Sequence, residues 1–413
     1  PEGYTNEHSP HCKYTKEKDI MDVWFDSGSS FAGTLLARDI KFPADLYYEG
    51  SDQYRGWFNS SLIVSVATRG QAPYRTVCSH GWVLDEHGEQ MHKSKGNGVD
   101  PIKIANVYGA DVLRLWVALV DSYQDVRIGD NILKNVSEQY RKIRNTLKFI
   151  SWNLVDFDPT NDAIYEYERA DRYILAELED LHNQIYEANL SGKMSGAISS
   201  LLTFISTDLS AFYFEIAKDI LYCNGKNSRR RRQVQTVLYH VGEALLRILN
   251  PALPFTMDEF NLNMPGKREK SAQFLTYPKT SHKFPTSVLE GKEQFFKLRS
   301  DVLKALEEAR ASKLIGSSQE AEVTIQILDS NVKTLFDNMK EDELKELFVV
   351  SGFKIVKELD APTYELSKVK ITHHEGKFCS RCWNYHDDAI LQEDGTYLCP
   401  RCQKVMDELN GKN

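Results

Sequence analysis

The sequence has little of what marks a membrane protein or a secreted protein. No uninterrupted apolar run approaches the roughly 20 residues that a membrane-spanning helix needs. The chain begins Pro-Glu-Gly-Tyr, without an initiator Met and without the basic and apolar regions of a signal peptide. We therefore expect no membrane partner, and we interpret the chain as a fragment of a longer protein.

Positive charge is scarce relative to negative charge. The 51 Lys and Arg residues stand against 59 Asp and Glu, which gives a net charge of -8. This excludes a protein coated with positive charge over its whole surface. Local basic patches are still compatible with the composition, because phosphate contacts require only clustered Lys and Arg.

Cysteine is also sparse outside one region. Of the seven cysteines, four form two pairs near the C-terminus, and Cys12, Cys78 and Cys223 are scattered. This distribution excludes a disulfide framework and favours a reducing, cytoplasmic location. The length of 413 residues exceeds what one core supports and predicts two or three domains.

The first part of the chain alternates between strand and helix patterns. Strands are predicted at 45–49 and 74–84, with a helix at 56–67 between them. This alternation predicts an α/β fold with parallel strands. A helix is predicted at 100–120, with Pro101 in its first turn.

From residue 131 to 265 the pattern changes to apolar residues at helical spacing, with few Gly or Pro, which predicts an antiparallel helix bundle. Pro251 and Pro254 should end its last long helix. A polar linker at 265–287 and a small α/β unit reaching residue 370 follow, with a strand at 321–328. The fold class is therefore α/β plus all-α, with segments at 1–40, 41–130, 131–280, 281–370 and 371–413.

The most specific pattern is Cys379-x-x-Cys382, sixteen residues, then Cys399-x-x-Cys402. Two close thiolate pairs can form a closed tetrahedral site, which predicts one structural Zn²⁺. Free cysteines or a redox pair are the alternative, and two matched pairs disfavour it. The neighbouring His373, His374 and His386 are not assigned as ligands.

Basic and aromatic residues surround these cysteines. They permit nucleic-acid binding through charge and stacking, or they only cover the metal, and the residues alone leave both alternatives open. The residues are Lys377, Arg381, Trp383, Tyr385, Arg401 and Lys404.

Residues 89–98, Glu-Gln-Met-His-Lys-Ser-Lys-Gly-Asn-Gly, form a second candidate site. The loop presents Lys93 and Lys95, with Ser94 between them, after a predicted strand and before a predicted helix. Such a loop can neutralise the charge that builds on a departing pyrophosphate. A lysine-rich surface turn is commoner, but nucleotides bind at the ends of parallel strands.

Here the sequence resembles a known family. Met91-His-Lys-Ser-Lys-Gly-Asn97 is similar to the Lys-Met-Ser-Lys-Ser signature of class I aminoacyl-tRNA synthetases. Gln90 replaces the first Lys and His92 the first Ser, whereas Lys93 is retained. The resemblance implies an ATP-binding loop of Met91, His92, Lys93, Ser94 and Lys95, with Lys93 as its catalytic residue.

Other segments resemble the isoleucine, leucine and valine branch of that class. They are Asp22-Val-Trp-Phe-Asp-Ser-Gly28, Glu49-Gly-Ser-Asp-Gln-Tyr-Arg-Gly-Trp-Phe58, His80-Gly-Trp-Val-Leu84 and Tyr108-Gly-Ala-Asp-Val-Leu-Arg-Leu-Trp116. The two cysteine pairs at the end resemble bacterial isoleucyl-tRNA synthetases. Two alternatives stay open: a valyl or leucyl enzyme, and a non-catalytic tRNA-binding protein derived from a synthetase.

The resemblance implies further site residues. Glu49, Gly50, Asp52 and Gln53 match the segment that contacts the aminoacyl-adenylate, although a solvated turn is their ordinary role. Trp24 and Trp57 match the aromatics beside the isoleucine side chain, although a Trp ordinarily packs in a core. His80 should lie near the adenylate.

The bundle matches the anticodon-binding domain of the family. Arg141, Lys142 and Arg144 lie along one predicted helix, and with Arg381 and Trp383 they are candidate tRNA contacts. The run Arg229 to Arg232 is either a phosphate-binding patch or a solvated charge run, and the sequence does not decide between them.

The resemblance thus implies the second half of a Rossmann-type nucleotide-binding fold, preceded at 1–40 by the end of an inserted domain. The implied reaction activates isoleucine with ATP and Mg²⁺ and transfers it to tRNA(Ile). The family's His-x-Gly-His signature does not occur, and neither does the editing domain. We therefore expect the chain alone to be inactive, and we expect a cytoplasmic monomer.

Overall fold

The computed structural model describes residues 17–280 and 283–411, without the side chains of Lys93 and Thr286. Cys12 and the first sixteen residues of the segment 1–40 lie outside the described residues. The chain folds as two compact units. Of the described residues, one unit contains 17–99 and 121–129, and the other contains 100–120, 130–280 and 283–411.

The first unit is built on a strand–helix–strand unit. Strands β1 and β2 are parallel, with Gly50 opposite His80, which confirms the predicted parallel arrangement. The predicted strand at 74–84 is divided at Gly81, whose N–H donates to the Ser122 carbonyl. The elements are α1 (Val23–Gly28), α2 (Ser30–Thr34), β1 (Ala44–Gly50), α3 (Trp57–Arg69), β2 (Tyr74–His80), β3 (Val83–Leu84) and β4 (Val126–Arg127), with β3 parallel to β4.

The second unit begins with helices. The predicted helix at 100–120 is two helices that separate at Gly109, because Gly109 has a φ of 94° that most residues avoid. The helices are α4 (Pro101–Tyr108), α5 (Ala110–Leu119), α6 (Asp130–Asn153), α7 (Arg169–Ser191), α8 (Met194–Thr203), α9 (Phe214–Cys223), α10 (Arg229–Leu249) and α11 (Pro254–Asn263).

Helix α10 is central to the predicted bundle and contacts α6, α7, α9 and α11. Its apolar row is fully buried at Val237, Val241 and Leu245, against equally buried Ile143 and Ile174 of α6 and α7. The helix ends at Leu249, two residues before Pro251, as the sequence predicts. Burial of these rows is the main stabilisation of such a bundle.

Helices α8 and α9 are joined by a π-helical segment, Phe204–Tyr213. The whole stretch, Met194–Cys223, is long and apolar enough to cross a membrane by length and composition alone. The sequence predicted no such stretch, because polar and charged residues interrupt its apolar runs. Leu201, Leu209 and Tyr213 are fully buried in the bundle, so the apolar character is that of a core helix.

The rest of the second unit is a three-stranded sheet with helices, as predicted. β5 lies between β6, to which it is parallel, and β7, to which it is antiparallel. The elements are α12 (Lys292–Ala311), β5 (Ala321–Ile327), α13 (Ser330–Phe336), α14 (Glu341–Phe348), β6 (Gly352–Ile355) and β7 (Ser367–His373). Two hairpins and a helix end the chain: β8 (Lys377–Phe378) with β9 (Tyr385–His386), β10 (Ile390–Leu391) with β11 (Tyr397–Leu398), and α15 (Pro400–Leu409).

Candidate functional sites

The two cysteine pairs occupy two kinds of turn. Cys379 and Cys382 lie in the turn between β8 and β9, where Trp383 donates its backbone N–H to the Cys379 carbonyl. Cys399 is the N-cap of α15, and Cys402 lies in the first turn of that helix. Each turn therefore directs two sulfurs to one point.

The four sulfurs meet the geometric requirement of a zinc site. All four cysteines are buried, and their Sγ atoms lie within 4.8 Å of one another. Cys382 Sγ and Cys399 Sγ are 3.9 Å apart. Tetrahedral Zn–S bonds of about 2.3 Å place neighbouring sulfurs roughly 3.8 Å apart, so one Zn²⁺ fits.

Hydrogen bonding among the thiols gives the cluster thiolate character. The hydrogen bond with Cys399 lowers the pKa of Cys382 to about 7, and the hydrogen bond with Cys382 lowers the pKa of Cys402 to about 3. The hydrogen bonds with Cys382 and Cys402 raise the pKa of Cys399 instead. Deprotonated sulfur is the form that binds zinc, so Cys382 and Cys402 are the sulfurs best prepared for a metal.

Two arginines of the knuckle, residues 376–409, contact the bundle. The Arg381 guanidinium donates to the carbonyls of Tyr222 and Cys223, at the end of α9. Arg401 pairs with Asp219 of α9 through both terminal nitrogens, at 2.5 and 2.8 Å. For these arginines the contacts favour the structural alternative, whereas Trp383 has 65% of its side-chain surface exposed.

In the first unit, the carboxyl ends of β1 and β2 bring three predicted residues together. Glu49 Oε2 lies 3.2 Å from His80 Nε2 and accepts the N–H of Gly50 at 2.9 Å. His80 Nδ1 lies 2.8 Å from the Gly81 carbonyl, which can only accept, so we assign a proton to Nδ1. An added Cβ at Gly50 would lie 2.6 Å from the Asp52 carboxylate, so a larger residue there would displace that side chain.

Gln53, Trp24 and Trp57 meet around Gly56. Gln53 Oε1 accepts the N–H of Trp57 at 2.9 Å and so caps the start of α3. The Trp57 ring stacks on Tyr47 with centroids 4.1 Å apart, so it also packs as a core residue does. A Cβ on Gly56 would lie 2.7 Å from the Trp24 ring.

The loop that follows β3 has an internal anchor that the sequence did not suggest. Buried Asp85 accepts Asn97 Nδ2 at 2.8 Å and the N–H groups of His87 and Glu89. The Asn97 hydrogen bond lowers the pKa of Asp85. Asn97 Oδ1 in turn accepts the His92 N–H at 2.9 Å, so both ends of the loop are fixed.

Within that loop, Lys93, Ser94 and Lys95 form one 3₁₀ turn. Lys95 N donates to the His92 carbonyl, and Lys95 Nζ lies 3.1 Å from the exposed Glu89 carboxylate. The one local signal for the anchor was Asn97 itself, since Asn side chains often hydrogen-bond backbone groups in turns.

The predicted tRNA contacts on α6 are solvent-exposed. Arg141 and Lys142 are exposed and have no ion-pair partner within the described part of the chain, and Arg144 lies 3.8 Å from exposed Glu259. These side chains are free to contact a ligand at little cost.

The run Arg229 to Arg232 is paired internally, an arrangement that neither of the two alternatives left open by the sequence describes. Arg230 contacts Asp171 and Glu346, and Arg231 forms two bonds to Asp156 at 2.7 and 2.9 Å. Arg229 pairs with Glu166, and Arg232 with Asp162. The run is therefore an ion-pair network that fixes the start of α10.

Three family models match parts of the chain. Residues 5–129 match tRNA synthetases class I (I, L, M and V), and residues 171–325 match the anticodon-binding domain of tRNA ligase. Residues 376–405 match the zinc finger found in FPG and IleRS.

Curated relatives match nearly the whole chain. The isoleucine–tRNA ligase of Macrococcus caseolyticus is 45% identical over 98% of this chain and 45% of its own length. That of Bacillus cytotoxicus is 46% identical over 99% of this chain and 45% of its own length. The chain therefore spans a little under half the length of these relatives.

Among solved structures, a LeuRS–tRNA–LeuAMS complex from Agrobacterium radiobacter K84 is similar in fold, with a TM-score of 0.52 and 16% identity. The similarity covers 64% of this chain and 34% of that one. At this identity it supports the fold alone.

Proposed function

Because the chain belongs to the isoleucine–tRNA ligase family, we propose that it supplies part of the adenylate site, the anticodon-binding region and the zinc knuckle of such an enzyme. The enzyme activates isoleucine with ATP and transfers the isoleucyl group to tRNA(Ile). The observation that carries the proposal is the meeting of Glu49, Gly50 and His80 at the ends of two parallel strands. This edge is where nucleotides bind in such sheets.

In the first step, the isoleucine carboxylate attacks the α-phosphate of ATP, and pyrophosphate leaves with the Mg²⁺ that accompanies ATP. We propose that Lys93 neutralises the charge that develops on the pyrophosphate. Met91, His92, Ser94 and Lys95 complete the loop that closes over the phosphates. The Asp85–Asn97 anchor supports this role, because it fixes both ends of the loop while the turn between them lies on the surface.

The substrate is held by the residues around the ends of β1 and β2. Glu49 and Asp52 provide carboxylates for the ammonium group and the ribose hydroxyls, with the amide of Gln53 beside them. Trp24 and Trp57 border the isoleucine side chain, and His80 lies beside the adenylate. No covalent enzyme intermediate is needed, since position and charge carry the rate.

In the second step, a hydroxyl of the terminal ribose of tRNA attacks the acyl carbon of the adenylate, and AMP leaves. We propose that Arg141, Lys142 and Arg144 bind phosphates of tRNA(Ile), and that Trp383 contacts it from the knuckle while Arg381 holds that turn. The exposure of the α6 cations supports this assignment. We further propose a monomer in the cytoplasm, consistent with described cysteines that form no disulfide.

A chimera tests the proposal. This chain would be joined to the preceding part of the Macrococcus caseolyticus ligase and assayed for ATP–pyrophosphate exchange. We expect exchange that depends on isoleucine more than on valine or leucine. Absence of exchange in a folded, zinc-loaded chimera would favour the alternative, a non-catalytic tRNA-binding protein. Preference for valine or leucine would assign the chain to that other branch.

A further inference from the structure

One exposed aromatic residue of the bundle has no role in the sites described above. Trp152, near the end of α6, has 66% of its side-chain surface exposed. The buried row of that helix is formed by Ile143, Leu147 and Ile150, so Trp152 does not contribute to the core. Lys148 Nζ lies 4.2 Å from the centroid of the Trp152 ring.

Trp152 also borders a small groove between α6 and α11. The groove has a volume of about 150 Å³, and Glu259 and Asn263 line its α11 side. Pockets for drug-sized molecules occupy roughly 300–1,000 Å³, so this groove is too small for one. A single planar ring that stacks on Trp152 and enters the groove by one edge is of the appropriate size.

Three cations precede Trp152 on the same side of α6. Arg141, Arg144 and Lys148 are exposed and lie three and four residues apart, so they share one helix face. From Arg141 to Trp152 the helix rises about 16 Å, which is the length of a few nucleotides of extended strand. The face therefore combines a row of positive charge with a stacking surface at its end.

From this arrangement we infer that Trp152 and Lys148 form a stacking site for one unpaired base of RNA, with Arg144 and Arg141 on the adjoining phosphates. The inference rests on the proposed function, because it specifies how the bundle binds its RNA. Stacking on an aromatic ring together with cationic contacts is how proteins bind unpaired bases. A protein partner is disfavoured, since Trp152 is the only large apolar side chain exposed on α6 and its neighbours on that face are cations.

The test uses the full chain and an RNA hairpin with the anticodon stem and loop of isoleucine tRNA. Trp152→Ala should weaken binding about tenfold or more, the loss expected for one stacked base. Trp152→Phe should retain most of the affinity. Leu190→Ala is the control, because Leu190 is 70% exposed on another helix of the same bundle.

A hairpin with abasic loop positions provides the second arm. Wild type and Trp152→Ala should bind this hairpin equally, because no base remains to stack. Arg144→Ala should reduce the salt dependence of binding by about one phosphate contact, and Trp152→Ala should leave it unchanged.

Binding of the intact hairpin by Trp152→Ala within twofold of wild type would overturn the stacking site while leaving the proposed function in place. An equal loss on the intact and the abasic hairpin would also overturn it, since the effect would not depend on a base. Failure of the wild-type chain to bind any hairpin would contradict the RNA-binding part of the proposed function itself.

Discussion

Arg401 and Asp219 form a two-pronged ion pair that connects the helix holding Cys402 to the end of α9. Burial alone would lower the pKa of Arg401. The hydrogen bonds and the charge of Asp219 outweigh burial and raise that pKa above its ordinary value. Bidentate arginine–carboxylate pairs are among the stronger polar contacts in proteins. The zinc knuckle is thus fastened to the bundle by a contact that does not involve the metal.

Arg401→Ala should therefore loosen the knuckle from α9 without releasing zinc. Hydrogen exchange at residues 216–224 should accelerate by roughly fivefold, as expected for a loss of about 1 kcal/mol at a partly exposed pair. Lys404→Ala, an exposed residue of the same helix, is the control. Loss of zinc from Arg401→Ala would show that the pair supports the metal site and not only its attachment.

Zinc content is the second prediction. The purified chain should hold one zinc per molecule, and Cys399→Ser should reduce this to near zero while the core helices of the bundle stay folded. Metal analysis and hydrogen exchange measure the two effects. Cys78→Ser is the control, because Cys78 belongs to the first unit. Carefully prepared wild-type protein with almost no zinc would contradict the assignment.

Lys93 is the third. In the chimera, Lys93→Ala should lower the rate of ATP–pyrophosphate exchange by roughly 100-fold or more and leave the KM for isoleucine within a few-fold, because its charge acts on the departing pyrophosphate. The control is Lys103→Ala, at an exposed residue of α4, which should have the wild-type rate of ATP–pyrophosphate exchange. Unchanged exchange in Lys93→Ala would remove this lysine from the mechanism.

Asn97 should matter although it contacts no phosphate in our proposal. Asn97→Ala removes the hydrogen bonds to Asp85 and His92, so the loop should lose its fixed position. We expect exchange to fall by about tenfold, mainly in kcat, with the same melting temperature within a few degrees. The comparison is Asn59→Ala, because Asn59 is an exposed residue of α3. A loss confined to protein stability would assign Asn97 to folding alone.

The ion pairs of α10 predict a dependence of stability on pH. Burial would raise the pKa of Asp156, but hydrogen bonds from Arg231 and Gln235 lower it to about 2. Since the folded pKa lies below the unfolded value of about 3.9, the stabilisation is present above pH 4 and is lost as the pH falls toward 2.

Asp156→Asn should therefore reduce the free energy of unfolding by about 1 kcal/mol at pH 6, allowing for partial exposure of the carboxylate, and by less at pH 2.5. Urea titrations at the two pH values measure the difference. Asp388→Asn, on an exposed turn, provides the baseline. An equal loss of unfolding free energy at both pH values would mean that the shape of the Asp156 side chain, and not its charge, accounts for the effect.

Local patterns were sufficient to predict much of this molecule. The alternation at 45–80 predicted the parallel strands, and the spacing of Cys379, Cys382, Cys399 and Cys402 predicted the buried sulfur cluster. In both cases the physical cause lies within a few residues or in a regular period.

Features that depend on distant partners were not predictable in this way. Arg231 is neutralised by Asp156, 75 residues away, and Arg401 by Asp219, 182 residues away. Neither acid belongs to a motif, so the sequence could not show that these arginines are occupied. The buried anchor at Asp85 was missed because an isolated Asp in a polar loop has no periodic signal.

The internal pairing of Arg229 to Arg232 has a consequence for how the bundle meets a polyanion. The composition counts these four guanidiniums as positive charges, but each of them has a carboxylate partner at short range. They therefore contribute almost nothing to the electrostatic potential beyond a Debye length. On α6, by contrast, Arg141 and Lys142 are exposed and have no ion-pair partner among the described residues. Under the proposed function, an approaching RNA would be steered toward this side of the bundle and oriented before any base is read.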